Sequence, residues 1–234
     1  MIKNPIVILF ILEDATTREF VKSLLISHYG FTDAGSKNEY FLIKSTSSDS
    51  YAVIGHPGSN SSGGWNEMEK SRIYRKARLL LNSKISMYGL ASHQAEVILI
   101  SDRDSLSEGD IEKRKQAFLN ACNSAFADIN QSVHIAKQEV ESWFLAGSTF
   151  EEDCFDASKD VELTRLRALQ DTDEIPDPKG VLDEILTAEY CGQRIGQGQL
   201  FGGQINIELA CSKSPSFKIF IEHINNLCVD NSEE

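Results

Sequence analysis

Carboxylates follow two of the most apolar segments of this 234-residue sequence. Glu13 comes directly after the run IVILFIL, and Asp102 and Asp104 come at the end of AEVILISDRD. Carboxylates within a few ångströms of one another repel unless a proton or a cation lies between them. Their hard oxygen atoms favour Mg²⁺ or Mn²⁺. The pattern therefore predicts a divalent metal site formed by Glu13, Asp102 and Asp104.

The same aspartates have a second interpretation. A strand that ends in Asp, with Ser and another Asp before a helix, is also ordinary N-cap and turn chemistry. For Asp104 with Ser105 or Ser107 taken alone, capping is the favoured interpretation. The metal interpretation gains weight because Glu13 ends a second apolar segment in the same way.

The elements that must position these carboxylates alternate along the chain. The two apolar runs are typical of strands buried on both faces of a parallel sheet. Helices are predicted at 15–30, capped by Thr16 or Thr17, at 67–89 and at 107–129, and further strands within 39–55 and at 132–138. This order predicts a doubly wound, Rossmannoid α/β fold with a mostly parallel sheet flanked by helices. Ligands of such sheets bind at the carboxyl ends of the strands, where Glu13 and Asp102 lie.

The composition of the sequence changes after Gly147. We predict an α/β domain over residues 1–147 and a C-terminal helical extension over 148–234, packed on it. Within the extension, GQRIGQGQLFGGQ has no Gly-Lys-Ser/Thr and so does not match a phosphate-binding loop. We expect a flexible loop near the site, from which Arg194 could reach a substrate.

Composition limits the classes of protein that remain. The formal net charge of -12 argues against broad attraction to nucleic acid, because phosphate binding is normally driven by Lys and Arg. Bound divalent cations or a basic partner can offset acidic groups locally, so nucleic acid stays open as a substrate. No apolar run approaches the roughly 18 residues of a membrane span, and no signal peptide is expected. Five widely spaced cysteines are typical of reduced thiols, so we expect a cytoplasmic protein.

Several other side chains have both a structural and a functional interpretation. His134, Trp143 and Phe144 fall in apolar runs and are expected in the core. A basic cluster on the helix at 67–89 is most simply a solvated face. The alternative is a surface that contacts a nucleic-acid backbone beside the acidic site. Its members are Lys70, Arg72, Arg75, Lys76 and Arg78.

The acidic segments resemble the TOPRIM fold of topoisomerases, primases and OLD-type nucleases, in which an apolar strand ends in Glu and a later one ends in Asp-x-Asp. The segments AKQEVESWFLAG and DPKGVL are similar to a group of small stand-alone TOPRIM-like proteins. Some of these are encoded beside ATPases in bacterial phage-defence or abortive-infection operons. The TOPRIM resemblance covers roughly residues 5–145, and the second resemblance extends it to nearly the whole chain.

The resemblance implies a Mg²⁺ or Mn²⁺ site at Glu13, Asp102 and Asp104 that serves phosphodiester cleavage of DNA or RNA. It implies that Glu141 joins or supports this cluster, with Glu139 the less favoured partner, and that Lys179 contacts the scissile phosphate. For Lys179, an exposed turn lysine is the competing interpretation. The resemblance also leaves open a homo-oligomer and a partner ATPase of the AAA or ABC type.

Three hypotheses follow. The first is a metal-dependent nuclease that acts as an effector of a phage-defence system. The second is a catalytically idle module that binds an ATPase partner or a nucleotide. It is motivated by the acidic surface and by Asp14, which stands where OLD-like members usually carry Gly. The third is phosphoryl transfer on a small nucleotide by the same carboxylates.

Overall fold

The computed structural model describes residues 6–33, 40–44, 50–55, 71–103, 108–151 and 153–228; at 40–44, 50–55, 71–73 and 108 only the backbone is described. The strands of this part are β1 (Ile6–Leu12), β2 (Thr32–Asp33), β3 (Tyr40–Lys44), β4 (Ser50–Gly55), β5 (Ala95–Asp102) and β6 (Asn130–Ala136). Its helices are α1 (Ala15–Tyr29), α2 (Ser71–Met87), α3 (Glu108–Phe126), α4 (Glu141–Gly147), α5 (Asp160–Ala168), α6 (Pro178–Ile185), α7 (Arg194–Gln204), α8 (Ile207–Lys213) and α9 (Pro215–Cys228).

The described strands form one sheet in the order β2-β3-β4-β1-β5-β6. Strands β4, β1, β5 and β6 are parallel to one another, and β3 runs antiparallel between β2 and β4. This confirms the predicted α/β fold with a mostly parallel sheet. Because β1 and β5 are adjacent and parallel, their carboxyl ends lie side by side at one edge of the sheet.

The two faces of the sheet are both covered, which explains why β1 is apolar throughout. Successive side chains of a strand point to opposite faces. Val7, Leu9 and Ile11 pack with residues of α2 and α3. Ile8, Phe10 and Leu12 pack on the other face with α1 and with helices from the C-terminal part of the chain. All positions from Val7 to Leu12 are therefore buried.

Helix α1 starts two or three residues earlier than a cap at Thr16 or Thr17 would require. Its N-cap is Asp14, whose Oδ1 accepts the N–H of Thr17 over 2.7 Å. The prediction of a cap at Thr16 or Thr17 is wrong, because both threonines lie buried inside the first turn. At the other end, Gly30 terminates the helix as predicted. Its left-handed φ of 71° lets its N–H donate to Leu25 O.

The glycine-rich segment is helix α7, so the prediction of a flexible loop there is wrong. Helix α7 packs against α1. A Cβ atom at Gly198 would lie 2.4 Å from Thr16 O, and one at Gly202 would lie 2.3 Å from Phe20 O. Glycines four residues apart thus allow two helix backbones to approach more closely than any side chain would permit. Arg194 is bound in a bidentate ion pair with Asp183.

The predicted core residues are confirmed. Trp143 and Phe144 are fully buried, and the Trp143 ring stacks on Phe220 with 5.4 Å between the centroids. His134 is buried in β6. In the part of the chain that the structure describes, no helix is both long and apolar enough to span a membrane.

Candidate functional site

Glu13 is bound to the end of the neighbouring strand by three hydrogen bonds. Its backbone N–H donates to Ile100 O over 3.2 Å, which extends the β1–β5 pairing beyond the end of β1. Its carboxylate atom Oε2 accepts the backbone N–H of Asp102 over 2.9 Å and also the hydroxyl of Ser101. The Glu13 carboxylate is therefore held against the last two residues of β5.

Asp102 links the end of β5 to the segment that follows β6. Its half-buried carboxylate accepts the backbone N–H of Val140 at Oδ1 over 2.8 Å. The next residue, Arg103, donates its backbone N–H to Ala136 O and Gln138 O over 2.9 and 3.0 Å. The ends of β1, β5 and β6 are thus joined at one edge of the sheet, with Glu13 and Asp102 side by side.

Glu141 is a buried acidic residue close to the carboxyl edge of the sheet, directly after Val140, which binds Asp102. It is the first residue of α4 and is only 3% exposed. The pKa of its carboxyl is raised to about 7, chiefly by burial and also by the negative charges of Glu139 and Asp14. A backbone hydrogen bond of its own and the charge of Lys179 oppose this rise. A carboxyl with such a pKa carries a proton for part of the time at neutral pH, as a general acid or base requires.

The start of α6 places Lys179 near the Glu141 carboxyl. Asp177 is the N-cap of that helix and accepts the N–H of Gly180, and Pro178 occupies its first turn. The backbone N–H of Lys179 donates to Glu139 Oε2 over 3.2 Å. The lysine is half-buried and lies in the first turn of α6. Glu139, the less favoured partner, is the residue that anchors the Lys179 segment.

The two predicted metal ligands that the structure describes, Glu13 and Asp102, are of a kind that suits a hard divalent cation. Carboxylates from two adjacent strand ends, Glu13 and Asp102, are the oxygen ligands that Mg²⁺ and Mn²⁺ prefer. Asp104, the third predicted ligand, lies outside the described residues. Among the residues that are described, no group of three or more His, Cys, Asp or Glu side chains is arranged to hold a metal ion. Two of the three predicted ligands are thus brought together.

The basic cluster of α2 is only partly described. Arg75 and Lys76 are exposed, while Lys70 and the side chain of Arg72 lie outside the described part. Arg78 has a structural role, because its guanidinium forms a bidentate ion pair with Asp128 and lies over the Phe126 ring. The predicted solvated face applies to Arg75 and Lys76, and Arg78 instead ties α2 to the end of α3.

Sequence reasoning missed Ser101 and the capping role of Asp14. Ser101 is 1% exposed and follows four apolar residues of β5. A lone hydroxyl in a buried strand, one residue before an acidic ligand candidate, is the signal that could have identified it. Asp14 was a recognisable N-cap type, but it was considered only as a departure from a family pattern.

Fold and site together define a Rossmannoid α/β protein with two acidic residues, Glu13 and Asp102, at the carboxyl edge of its parallel strands. The chain belongs to the family described as Domain of unknown function (DUF4276), whose model matches residues 12–225. A search of curated proteins found no match.

Proposed function

We propose that this protein is a metal-dependent nuclease of the TOPRIM-like type. It cleaves phosphodiester bonds of DNA or RNA in the bacterial cytoplasm, as an effector of an anti-phage defence system. One observation carries the proposal: Glu13 and Asp102 lie at the carboxyl ends of adjacent parallel strands, joined by the hydrogen bond from Asp102 N to Glu13 Oε2. Ligands of α/β sheets bind at this edge.

Each residue has a distinct role in this proposal. Glu13 and Asp102, with Asp104, would hold Mg²⁺ or Mn²⁺, which supplies an activated water molecule or stabilises the leaving oxygen. Glu141 holds or releases a proton close to this centre, and its pKa of about 7 suits that task. Lys179 adds a positive charge beside Glu141, where it can bind the scissile phosphate.

A cleavage assay with matched variants tests the proposal. Wild-type protein is incubated with single- and double-stranded DNA and RNA, with Mg²⁺, with Mn²⁺ and with EDTA. Asp102→Asn removes one ligand charge at the strand end. Glu222→Gln removes a charge from the exposed surface of α9 and serves as the control. We expect metal-dependent cleavage by wild type and by the control, and a loss of at least about 100-fold in Asp102→Asn.

The assay also has a clear negative outcome. Folding of each variant is checked by circular dichroism, so that loss of activity is not confused with unfolding. Equal cleavage by Asp102→Asn and wild type would exclude the strand-end site as the catalytic centre. Inhibition of cleavage by mononucleotides would instead favour the third hypothesis, phosphoryl transfer on a small nucleotide.

A specific observation favours a second candidate, the catalytically idle module. The Glu13 and Asp102 carboxylates already accept hydrogen bonds from Ser101, from the Asp102 amide and from the Val140 amide. These bonds stabilise the strand ends without a cation, so the carboxylates also have a structural role. Under this candidate the protein binds an ATPase partner or a nucleotide. Purified protein would then show no cleavage with either metal and would retain its partner when Asp102 is changed to Asn.

A further inference from the structure

We propose that Ser101 is a positioning residue of the strand-end site, whose hydroxyl sets the orientation of the Glu13 carboxylate. The inference rests on the proposed function, because it concerns the same metal site. It assigns Ser101 no contact with the substrate or the ion. Its effect is transmitted through Glu13.

The burial of Ser101 is the first argument. Its side chain is 1% exposed, at the end of a strand whose residues from Val97 to Ile100 are fully buried and apolar. A hydroxyl in such a place needs an internal hydrogen-bond partner, because leaving it unpaired costs about 1–3 kcal/mol. Its Oγ atom donates to Glu13 Oε2 and also lies 3.3 Å from Asp102 O. The side-chain partner of this buried hydroxyl is therefore a predicted metal ligand.

The convergence of two donors is the second argument. Ser101 Oγ and Asp102 N both donate to the same carboxylate atom, Oε2 of Glu13. A single donor allows a carboxylate to pivot about the bonded oxygen. Two donors that come from consecutive residues of one strand restrict this motion, and the backbone bond from Glu13 N to Ile100 O fixes the base of the side chain. The position of Glu13 Oε2 relative to β5 is thereby restrained.

Groups that orient a metal ligand change affinity without binding the ion. Loss of such an orienting partner typically costs about 10–100-fold in metal affinity or activity. Removal of the Ser101 hydroxyl takes away one of the two donors described at Glu13 Oε2, so we expect the carboxylate to be held less firmly beside Asp102. We therefore expect weaker metal binding with an unchanged number of sites.

The test is isothermal titration of Mn²⁺ into wild-type protein and four variants. Ser101→Ala removes the hydroxyl, and Ser101→Cys keeps a similar shape with a weak donor, in case the smaller residue impairs folding. Ser101→Thr restores a hydroxyl. Ser132→Ala on the adjacent strand β6 is the matched control, because the buried Ser132 hydroxyl has no hydrogen-bond partner within the described part of the chain. Circular dichroism reports the folding of each protein.

The expected result is binding of equal affinity by wild type and Ser132→Ala, and roughly 10-fold weaker binding by Ser101→Ala and Ser101→Cys. Ser101→Thr should bind within about 3-fold of wild type. If wild type binds Mn²⁺ and the Ala and Cys variants bind it equally well, the inference on Ser101 is overturned while the nuclease proposal stands. If neither wild type nor Ser132→Ala binds Mn²⁺, the proposed metal site fails and the inference fails with it.

Discussion

The Nε2 atom of His134 on β6 lies 3.0 Å from the Nδ1 atom of His223 on α9. One of these nitrogens donates and the other accepts, so the bond requires a single proton between the two rings. The other nitrogen of His223 forms an ion pair with the buried Glu96 on β5. The histidine pair therefore ties α9 to β6 and β5.

Replacement of His134 by Phe should reduce the dependence of stability on pH. The pKa of His134 is lowered to about 3, chiefly by burial and also by the nearby charges of His223 and Lys115. Between pH 6.5, the ordinary pKa of histidine, and about pH 3, His134 binds a proton in the unfolded chain but not in the folded protein. The free energy of unfolding should thus fall as the pH falls through this window, by up to about 1.4 kcal/mol per unit. Urea unfolding at several pH values measures the slope.

The control for this experiment is His93→Gln, because His93 is exposed in the turn before β5. This variant should keep the wild-type slope, and His134→Phe should show a shallower one. Equal slopes in all three proteins would mean that His134 is not the group that makes the fold sensitive to acid.

Glu141→Gln should stabilise the protein at alkaline pH while abolishing the proposed activity. The folded pKa of Glu141 is about 7, above its ordinary value of 4.5. Between these values the folded protein binds the proton more tightly than the unfolded chain, so its stability should fall as the pH rises. The neutral amide avoids the cost of ionising a buried carboxyl. Thermal unfolding at about pH 5 and about pH 8 should show a gain for Glu141→Gln that is larger at the higher pH.

Glu139→Gln is the matched comparison for Glu141→Gln, because Glu139 is only half-buried and an amide oxygen can still accept the Lys179 N–H. It should change stability less than Glu141→Gln at the higher pH. A Glu141→Gln protein that is less stable than wild type at about pH 8 would contradict the assigned cost of the buried charge.

Two adjacent glycines of α7 should respond in opposite ways to substitution by Ala. At Gly202 the new Cβ would lie 2.3 Å from Phe20 O and would force α7 away from α1. We expect a loss of about 1–3 kcal/mol in the free energy of unfolding. At Gly203 the nearest atom is Ser27 Oγ at 3.6 Å, an ordinary contact. Gly203→Ala should be neutral or stabilising by up to about 1 kcal/mol, because Ala favours the helix.

Chemical denaturation of the two glycine variants is sufficient to compare them. If Gly202→Ala proves as stable as Gly203→Ala, the close approach of α7 to α1 is not a feature of the folded protein in solution.

Asp173→Asn should destabilise the C-terminal helices. The Asp173 carboxylate is fully buried and accepts hydrogen bonds from Ser214 Oγ over 2.6 Å, from Ser216 N over 2.8 Å and from Ser216 Oγ over 3.0 Å. The Ser216 hydroxyl in turn accepts the Trp143 indole N–H over 2.8 Å. An amide cannot accept the same set of donors, so we expect a loss of about 2–4 kcal/mol in the free energy of unfolding.

The exposed Asp160 in the first turn of α5 offers a control for Asp173. Asp160→Asn should change the free energy of unfolding by no more than about 0.5 kcal/mol. A similarly small effect in Asp173→Asn would show that the buried network contributes little. Intrinsic Trp fluorescence follows both variants, because the network includes Trp143.

The strands of the parallel core could be predicted because their signals are local. An unbroken apolar run is typical of a strand covered on both faces, and β1 and β5 are such runs. Gly30 is likewise a local signal for the end of α1. The acidic residues that follow these strands could be placed at one edge of the sheet, because parallel strands share the direction of their carboxyl ends.

The glycine-rich segment could not be assigned correctly from local propensity, which disfavours a helix. Helix α7 forms because Gly198 and Gly202 let its backbone contact Thr16 and Phe20, residues far away in the sequence. The gain in packing outweighs the poor propensity. The spacing of these two glycines was a visible signal, but its meaning depends on which helix lies opposite.

The sequence by itself determined which segments are buried strands and that carboxylates end two of them. Tertiary structure decided what surrounds those carboxylates. The Ser101 hydroxyl and the Asp102 amide reach Glu13 only because β1 and β5 pair. Glu141 has its raised pKa because the fold buries it and brings the charge of Asp14, distant in the sequence, close to it. Strand runs and caps follow from short-range preferences of the chain, whereas hydrogen-bond partners and burial depend on contacts between residues that only the complete fold brings together.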